Sequence, residues 1–298
     1  MDDLNIEGQI REFLASRRAR LTPDRAGIPA YGRHRRVSGL RREEVALLAG
    51  ISAEYYTRLE RGHTRGASGD VLDGLARALQ LDEAERAHLS DLVRVANLER
   101  PPQRTTAREL VRPAVQRIVD AMAAMPAMVR NRRLDILYAN RLGQALYSSV
   151  FDDPIRPANP ARFVFLDPRS REFYVDWEAA AHDMVALLRA EAGRNPSDRS
   201  LSELIGGLST RSEEFQSRWA AHEVLFHRAG TRRFHHPLVG DLTLTYEDLD
   251  LPADPGQTIL VFTAEPGSAS DDALRELARA SSSFEASPAI SPGSDAPR

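Results

Sequence analysis

The sequence contains no cysteine and no lysine, and both absences exclude kinds of site. Without thiols the chain cannot form disulfides, iron–sulfur clusters, thiolate zinc fingers or a cysteine nucleophile. Without lysine, every contact from a basic side chain comes from a guanidinium, which can bind bidentately. No apolar run approaches the roughly 18 residues of a membrane span, and the acidic N-terminus lacks the apolar stretch of a secretory signal. A cytoplasmic location without membrane contact is the resulting expectation.

The net charge of −3 is distributed unevenly along the chain. Residues 1–66 carry 13 arginines and 9 acidic residues, whereas residues 67–298 carry 27 arginines and 34 acidic residues. Within residues 17–42 there are nine arginines and one acid, Asp24. Most charge runs are solvated faces, but a patch of one sign beside an acidic remainder is typical of a phosphate-binding surface. The charge pattern alone leaves both interpretations open.

The hydrophobic pattern predicts two domains and an α+β fold class. Helical periodicity fills residues 1–98, and two prolines among polar neighbours interrupt it at residues 99–107, which read as a linker. Residues 108–268 begin with helices and end in β-rich runs such as GDLTLTYEDLDL and QTILVFTAE, which predict an antiparallel sheet. Residues 269–298 are predicted to form one short helix and a disordered tail.

The segment LRREEVALLAGISAEYYTRLERG, residues 40–62, is the strongest motif and predicts a helix-turn-helix. Gly50 permits a left-handed turn after the first helix, and Ser52 is a good N-cap for the second. An ordinary helical hairpin is the alternative, but the spacing, the glycine and the caps coincide. The apolar side chains predicted to face the core are Val45, Leu48, Tyr56 and Leu59.

In a helix-turn-helix the second helix lies in the major groove, with its N-terminal residues near base edges. Arg58 can donate to guanine and Glu54 can accept from cytosine. An intrahelical ion pair between these two residues is the competing interpretation. The arginines at or before the first helix of the motif are expected to hold phosphates. The predicted DNA-binding residues are Arg36, Arg41, Arg42, Ser52, Ala53, Glu54, Tyr55, Thr57 and Arg58.

About residues 6–97 resemble the lambda-repressor-like, or XRE-type, helix-turn-helix family, and the closing RLERG at Arg58–Gly62 is typical of its recognition helix. The resemblance implies a DNA-binding domain in which Arg42 stands where members often carry a phosphate-holding glutamine. Within that closing sequence, Glu60 is expected to pair internally, with Arg61 or a neighbouring helix end. Because one helix-turn-helix covers few base pairs, a homodimer on half-sites about 10 base pairs apart is expected.

Residues 108–266 carry no recognisable catalytic motif. The sequence H-E-x-x-x-H at residues 222–227 superficially resembles a zinc protease motif, but that motif needs histidines four apart to reach one ion. His235 and His236 are adjacent, so on a strand they point to opposite faces, and Asp248 and Asp250 read as a solvated strand edge near a turn. Phosphate loops, nucleophile elbows and paired carboxylates are also missing. The sequence therefore predicts no enzyme, no cofactor and no metal.

Aromatic residues are concentrated between residues 163 and 246, and both tryptophans are among them. Most of these side chains must form the hydrophobic core. Yet a small-ligand pocket is lined by such residues together with a few polar groups. On this physical argument the candidate ligand-binding residues are Trp177, Trp219, His222 and Phe234.

The segments FLDP, DWE, SEEFQSRWAAHEV, RRFHHPLVGDLTLTYEDL and TAEPGS resemble the ligand-binding domain of MmyB-like transcription regulators. This resemblance covers about residues 108–268. It implies a PAS-like mixed α/β domain behind the helix-turn-helix, and a small ligand that is fatty-acid-like or otherwise apolar. The sequence thus predicts a sequence-specific, DNA-binding transcription regulator with a sensor domain. Two alternatives remain: a C-terminal domain that only dimerises or binds a protein, and an enzyme with a DNA-binding appendage, which lacks a motif.

Overall fold

The computed structural model describes residues 6–28, 37–97, 109–221 and 229–282. The described residues do not include the phosphate contact of Arg36, the linker, the ligand contact of His222 or the predicted disordered tail after residue 282, and these stay sequence-based predictions.

Five helices form the N-terminal part of the described chain, and the later ones begin at caps visible in the sequence. Ser52, Ser68 and Asp82 each accept a hydrogen bond from the backbone amide three residues further on. The helices are α1 (Ile6–Arg20), α2 (Arg42–Ala49), α3 (Ala53–Glu60), α4 (Gly69–Ala78) and α5 (Glu83–Ala96).

The core between these helices contains Val45, Tyr56 and Leu59, as predicted. The prediction for Leu48 is wrong, because this side chain is 38% exposed. The buried side of α2 instead runs through Val45 and Ala46, whose small side chain is covered by its neighbours. At Gly74 of α4 an added Cβ would lie 2.8 Å from a backbone oxygen of α2, so the two helices approach closely there.

A five-stranded antiparallel sheet in the order β2-β1-β5-β4-β3 forms the centre of the C-terminal part. This part has the antiparallel sheet that the sequence predicts, and together with the helices it gives the predicted α+β fold class. His236 is fully buried at the end of the third strand while His235 is exposed, so the two rings do point to opposite faces. The strands are β1 (Ala127–Asn131), β2 (Ile136–Ala139), β3 (Ala229–His236), β4 (Gly240–Asp250) and β5 (Gln257–Thr263).

Helices cover both faces of this sheet and create two cores. Val115 and Val119 of α6 pack with Val129 on one face. The opposite face belongs to a larger core that includes Phe234 and, from α14, Leu277. In the described ranges no helix is long and apolar enough to cross a membrane. The helices are α6 (Pro113–Ala121), α7 (Arg141–Leu146), α8 (Ser148–Phe151), α9 (Pro160–Leu166), α10 (Ser170–Phe173), α11 (Trp177–Arg194), α12 (Arg199–Arg211), α13 (Glu213–Ala220) and α14 (Ala269–Ser282).

Candidate functional site

Helices α2 and α3 meet at a turn whose geometry is set by adjacent residues. Gly50 has a φ of 70°, and the amide of Ile51 donates to the carbonyl oxygen of Ala46 at 3.0 Å, which closes α2. The Oγ of Ser52 accepts from the amide of Tyr55 at 3.1 Å and starts α3. This short connection produces the crossed helix pair of a helix-turn-helix.

Of the residues on α3 predicted to contact DNA, Glu54 and Arg58 face away from the core, whereas Ala53 and Tyr55 are half-buried and pack against it. Glu54 and Arg58 are exposed, whereas Thr57 is half-buried and donates from Oγ1 to the carbonyl oxygen of Ala53 at 2.8 Å. The guanidinium carbon of Arg58 lies 4.9 Å from the ring centre of Tyr55. Within the part of the chain that the structure describes, no ion pair joins Arg58 to Glu54. Both charged groups therefore remain available to a DNA base.

Glu60 is 3% exposed at the end of α3 and holds three helices together. Its Oε1 accepts from Nε of Arg18 at 2.6 Å and from the hydroxyl of Tyr56 at 3.3 Å, while its Oε2 accepts from Nε of Arg42. The prediction that Glu60 pairs internally is confirmed, but its partners are Arg18 and Arg42. The suggested partner Arg61 is exposed instead.

The arginines of the basic segment divide into two groups. Arg41 and Arg42 lie at the start of α2 with exposed side chains, and the hydrogen bond to Glu60 raises the pKa of Arg42. In contrast, Arg17 is buried and pairs with Glu85 at 2.8 Å. Within residues 17–42, the arginine at the start therefore stabilises the fold through a buried ion pair. The two at the end place positive charge on the surface.

A cavity of about 40 Å³ lies between the sheet and α11. All five strands contribute to its wall, and alternate residues of one strand face it because side chains of a strand alternate in direction. The lining residues are Met128, Arg130, Ile136, Tyr147, Pro160, Asp183, Met184, Leu187, Arg232, Tyr246, Asp248, Leu260 and Phe262.

Two ion pairs form the polar part of this wall. Arg232 donates from Nη2 to Asp183 of α11 at 2.7 Å, and Arg130 donates to Asp248. All four side chains are at most 20% exposed. Burial alone would lower the pKa of Arg232, but the carboxylate of Asp183 and nearby tyrosines raise it above its usual value. The two ion pairs place two positive and two negative charges in the cavity wall, and these charges cancel.

The prediction that Asp248 lies on a solvated strand edge is wrong. The alternation of β4 places Asp248 on the same face as Leu244 and Tyr246, which are core residues. Alternation along β3 likewise places Arg232 on the same inward face as Phe234. A charged residue in the buried phase of a strand is unusual, and this was the available signal that sequence reasoning missed.

The aromatic residues proposed from the sequence as ligand contacts lie outside this wall. Phe234 is fully buried in the core, and the indole nitrogen of Trp177 donates to a carbonyl oxygen of α9 at 3.2 Å. Trp219 stacks on Phe215 with ring centres 5.5 Å apart. These three rings serve packing in the structure, and none of them lines the cavity.

Two family models match the chain. A helix-turn-helix domain matches residues 9–89, and the MmyB-like transcription regulator ligand binding domain matches residues 111–277, which is more than half of the chain. No curated protein shows a significant match. Both families are domains of transcription regulators, and together they identify a DNA-binding regulator with a ligand-sensing domain. The chain belongs to the family of MmyB-like transcription regulators.

Proposed function

We propose that α3 reads an operator sequence and that the cavity beneath α11 receives the signal molecule. The observation that carries this proposal is the pair of exposed side chains, Glu54 and Arg58, on a helix anchored from behind by buried Glu60. A helix fixed in this way is already ordered when it enters the major groove, so less conformational entropy is lost on binding.

Each predicted contact has a distinct role in this proposal. Arg58 and Glu54 read bases, and the small side chain of Ala53 lets the start of α3 approach the groove. Arg41 and Arg42 bind phosphates and set the register, with Arg42 oriented by its ion pair to Glu60. Ser52, Tyr55 and Thr57 contact either bases or phosphates. The phosphate contact of Arg36 stays a prediction from the sequence.

We expect Arg58→Ala and Arg42→Ala to weaken DNA binding in different ways. Loss of Arg58 costs about 1–3 kcal/mol on the preferred sequence and little on unrelated DNA. Loss of Arg42 weakens binding to all sequences and flattens the salt dependence by about one unit of slope. Fluorescence anisotropy with a duplex selected from a random pool and with a scrambled duplex measures both effects.

Arg199→Ala is the matched control, because it removes the same charge from an exposed position on α12. It should bind both duplexes like the parent protein. If Arg58→Ala lowered affinity for the scrambled duplex as much as for the selected one, base reading by Arg58 would be wrong. A salt slope unchanged in Arg42→Ala would contradict its phosphate contact.

The cavity wall supports a small amphipathic ligand. Its apolar part includes Met128, Met184 and Leu187, which suits the apolar body that the sequence resemblance implies. Its polar part includes Tyr147, whose pKa burial raises, so that the hydroxyl keeps its proton. In addition, Nη1 of Arg232 is buried without a hydrogen-bond partner among the described residues, which favours a ligand atom that accepts a hydrogen bond.

Native mass spectrometry of the purified protein tests the sensor against the alternative of a domain that only dimerises or binds a protein. We expect a retained small molecule in the parent protein and its loss in Leu187→Trp, because the larger side chain fills the cavity. The same spectra test the proposed homodimer. A dimer that retains nothing, and takes up nothing from a panel of fatty acids and aromatic acids, would support the alternative.

A further inference from the structure

Helix α11 is shared by the cavity and the DNA-binding domain. Asp183, Met184 and Leu187 line the cavity, whereas Ala190 belongs to the buried core of the first five helices. The spacing from Asp183 through Leu187 and Ala190 to Arg194 follows the four-three-four pattern of one helix face. A single stripe of α11 therefore runs from the cavity wall to the DNA-binding domain.

The contact between α11 and α5 is close and specific. At Gly193 an added Cβ would lie 2.6 Å from Cε1 of His88 and 3.1 Å from Cδ2 of Leu92, so glycine is required for this approach. Next to it, Nε of Arg194 donates to Oδ2 of Asp91 at 2.9 Å. Close packing and a charged hydrogen bond together mean that a shift of α11 must be followed by α5 or must break these contacts.

Arg189 adds a second link at the same end of α11. Its guanidinium carbon lies 4.2 Å from the ring centre of Trp219, and its Nη2 donates to the carbonyl oxygen of that residue. Burial lowers the pKa of Arg189 to about 10; on α1 the charge of Glu12 opposes this shift, whereas the like charge of Arg17 adds to it. Arg189 therefore interacts electrostatically with the DNA-binding domain while it packs against α13.

The size of the cavity indicates which wall a ligand displaces. About 40 Å³ is far below the roughly 300–1,000 Å³ of a typical small-molecule site, so a ligand must enlarge it. In the sheet wall, β5 pairs continuously with β1 and with β4. The opposite wall is α11, which is tied to the sheet by the ion pair of Asp183 and Arg232. An acceptor on Nη1 of Arg232 leaves Nη2 to Asp183, so the ligand moves α11 by its bulk and strains this ion pair as the cavity widens.

We infer that α11 transmits occupancy of the cavity to the DNA-binding domain through its contacts with His88 and Asp91 on α5. This inference rests on the proposed sensing function, because it describes how that site regulates DNA binding. Coupling between two sites is reciprocal, so bound DNA must also change the cavity wall. The inference can therefore be tested with DNA alone, before the ligand is known.

Hydrogen–deuterium exchange of the full chain, with and without the selected duplex, is the test. In the parent protein we expect DNA to change exchange in α11 and in β3, which supplies Arg232 to the cavity. In Arg194→Ala and Gly193→Ala we expect the duplex to bind with unchanged affinity while the response in β3 is lost. The exposed Arg199→Ala should respond like the parent.

The charge-reversed pair, Asp91→Arg with Arg194→Asp, should restore the response in β3. This pair and Arg194→Ala keep the test decisive if Gly193→Ala fails to fold, since the Asp91–Arg194 ion pair is only partly buried. An unchanged β3 response in Arg194→Ala, or no β3 response in a parent protein with DNA bound, would overturn the inference. Absence of DNA binding in the parent, seen by anisotropy, would instead overturn the proposed function on which the inference rests.

Discussion

Glu60→Ala is expected to destabilise the DNA-binding domain strongly and to weaken operator binding. The substitution leaves the guanidinium of Arg18 and the hydroxyl of Tyr56 buried without the carboxylate that binds both. Removal of one member of a buried ion pair costs about 3–5 kcal/mol. Since whole domains are stable by about 5–15 kcal/mol, a loss of this size removes a large share of the domain's stability. Thermal unfolding followed by circular dichroism, together with anisotropy, measures both effects.

Two further variants separate burial from charge. Glu54→Ala removes an exposed carboxylate from the same helix, and it should change the free energy of unfolding by no more than about 0.5 kcal/mol. Glu60→Gln keeps the shape and the hydrogen-bond acceptor but not the charge, so it should fall between Glu60→Ala and the parent. If Glu60→Ala melted within a degree or two of the parent, Glu60 would not be the anchor of α3.

Asp183→Ala is expected to destabilise the cavity wall strongly. It leaves the guanidinium of Arg232 buried and uncompensated, at a cost of about 3–5 kcal/mol. The double variant Asp183→Leu with Arg232→Met should recover most of this loss, because an apolar pair of similar volume replaces a buried ion pair at little cost. Denaturant unfolding of Asp183→Leu, of Arg232→Met and of the double variant gives the coupling energy.

The double variant also separates stability from ligand binding. Its cavity keeps the apolar wall but lacks the unpartnered nitrogen of Arg232, so the recovered protein should no longer retain the small molecule in native mass spectrometry. Additive losses in the two single variants would show that Asp183 and Arg232 do not depend on each other. Retention of the molecule by the double variant would place its polar contact elsewhere.

The helix-turn-helix could be predicted because its determinants are local. Gly50 and Ser52 act on residues within one helical turn of themselves, and the burial of Tyr56 and Leu59 follows from helical spacing alone. The exception, Leu48, shows the limit of this reasoning. Helical spacing alone is compatible with several rotations of the short helix α2 about its axis. In the observed rotation α2 approaches α4 closely at Gly74, and Leu48 is exposed.

The candidate ligand contacts chosen from the sequence do not line the cavity, because aromatic content does not distinguish a core from a cavity wall. Phe234 and Trp177 were sensible candidates by composition, yet both are packed within the core. The charged residues that do line the cavity carried a weaker signal. Alternation along β4 points Asp248 inward. Why a charged residue is tolerated there is clear only from the sheet, in which Arg130 of β1 lies close enough to bind it.

The sequence by itself determined the helix-turn-helix and the concentration of positive charge in the N-terminal segment, and resemblance of its segments to known families indicated the two domains. The first two follow from caps, turns, periodicity and composition, which act over a few residues or simply add up. Only the tertiary structure decided which charges pair and where the two domains meet. Arg130 and Asp248 are separated by 118 residues, and Asp91 and Arg194 by 103. Such partners are selected by strand order and helix packing, and no local pattern encodes either.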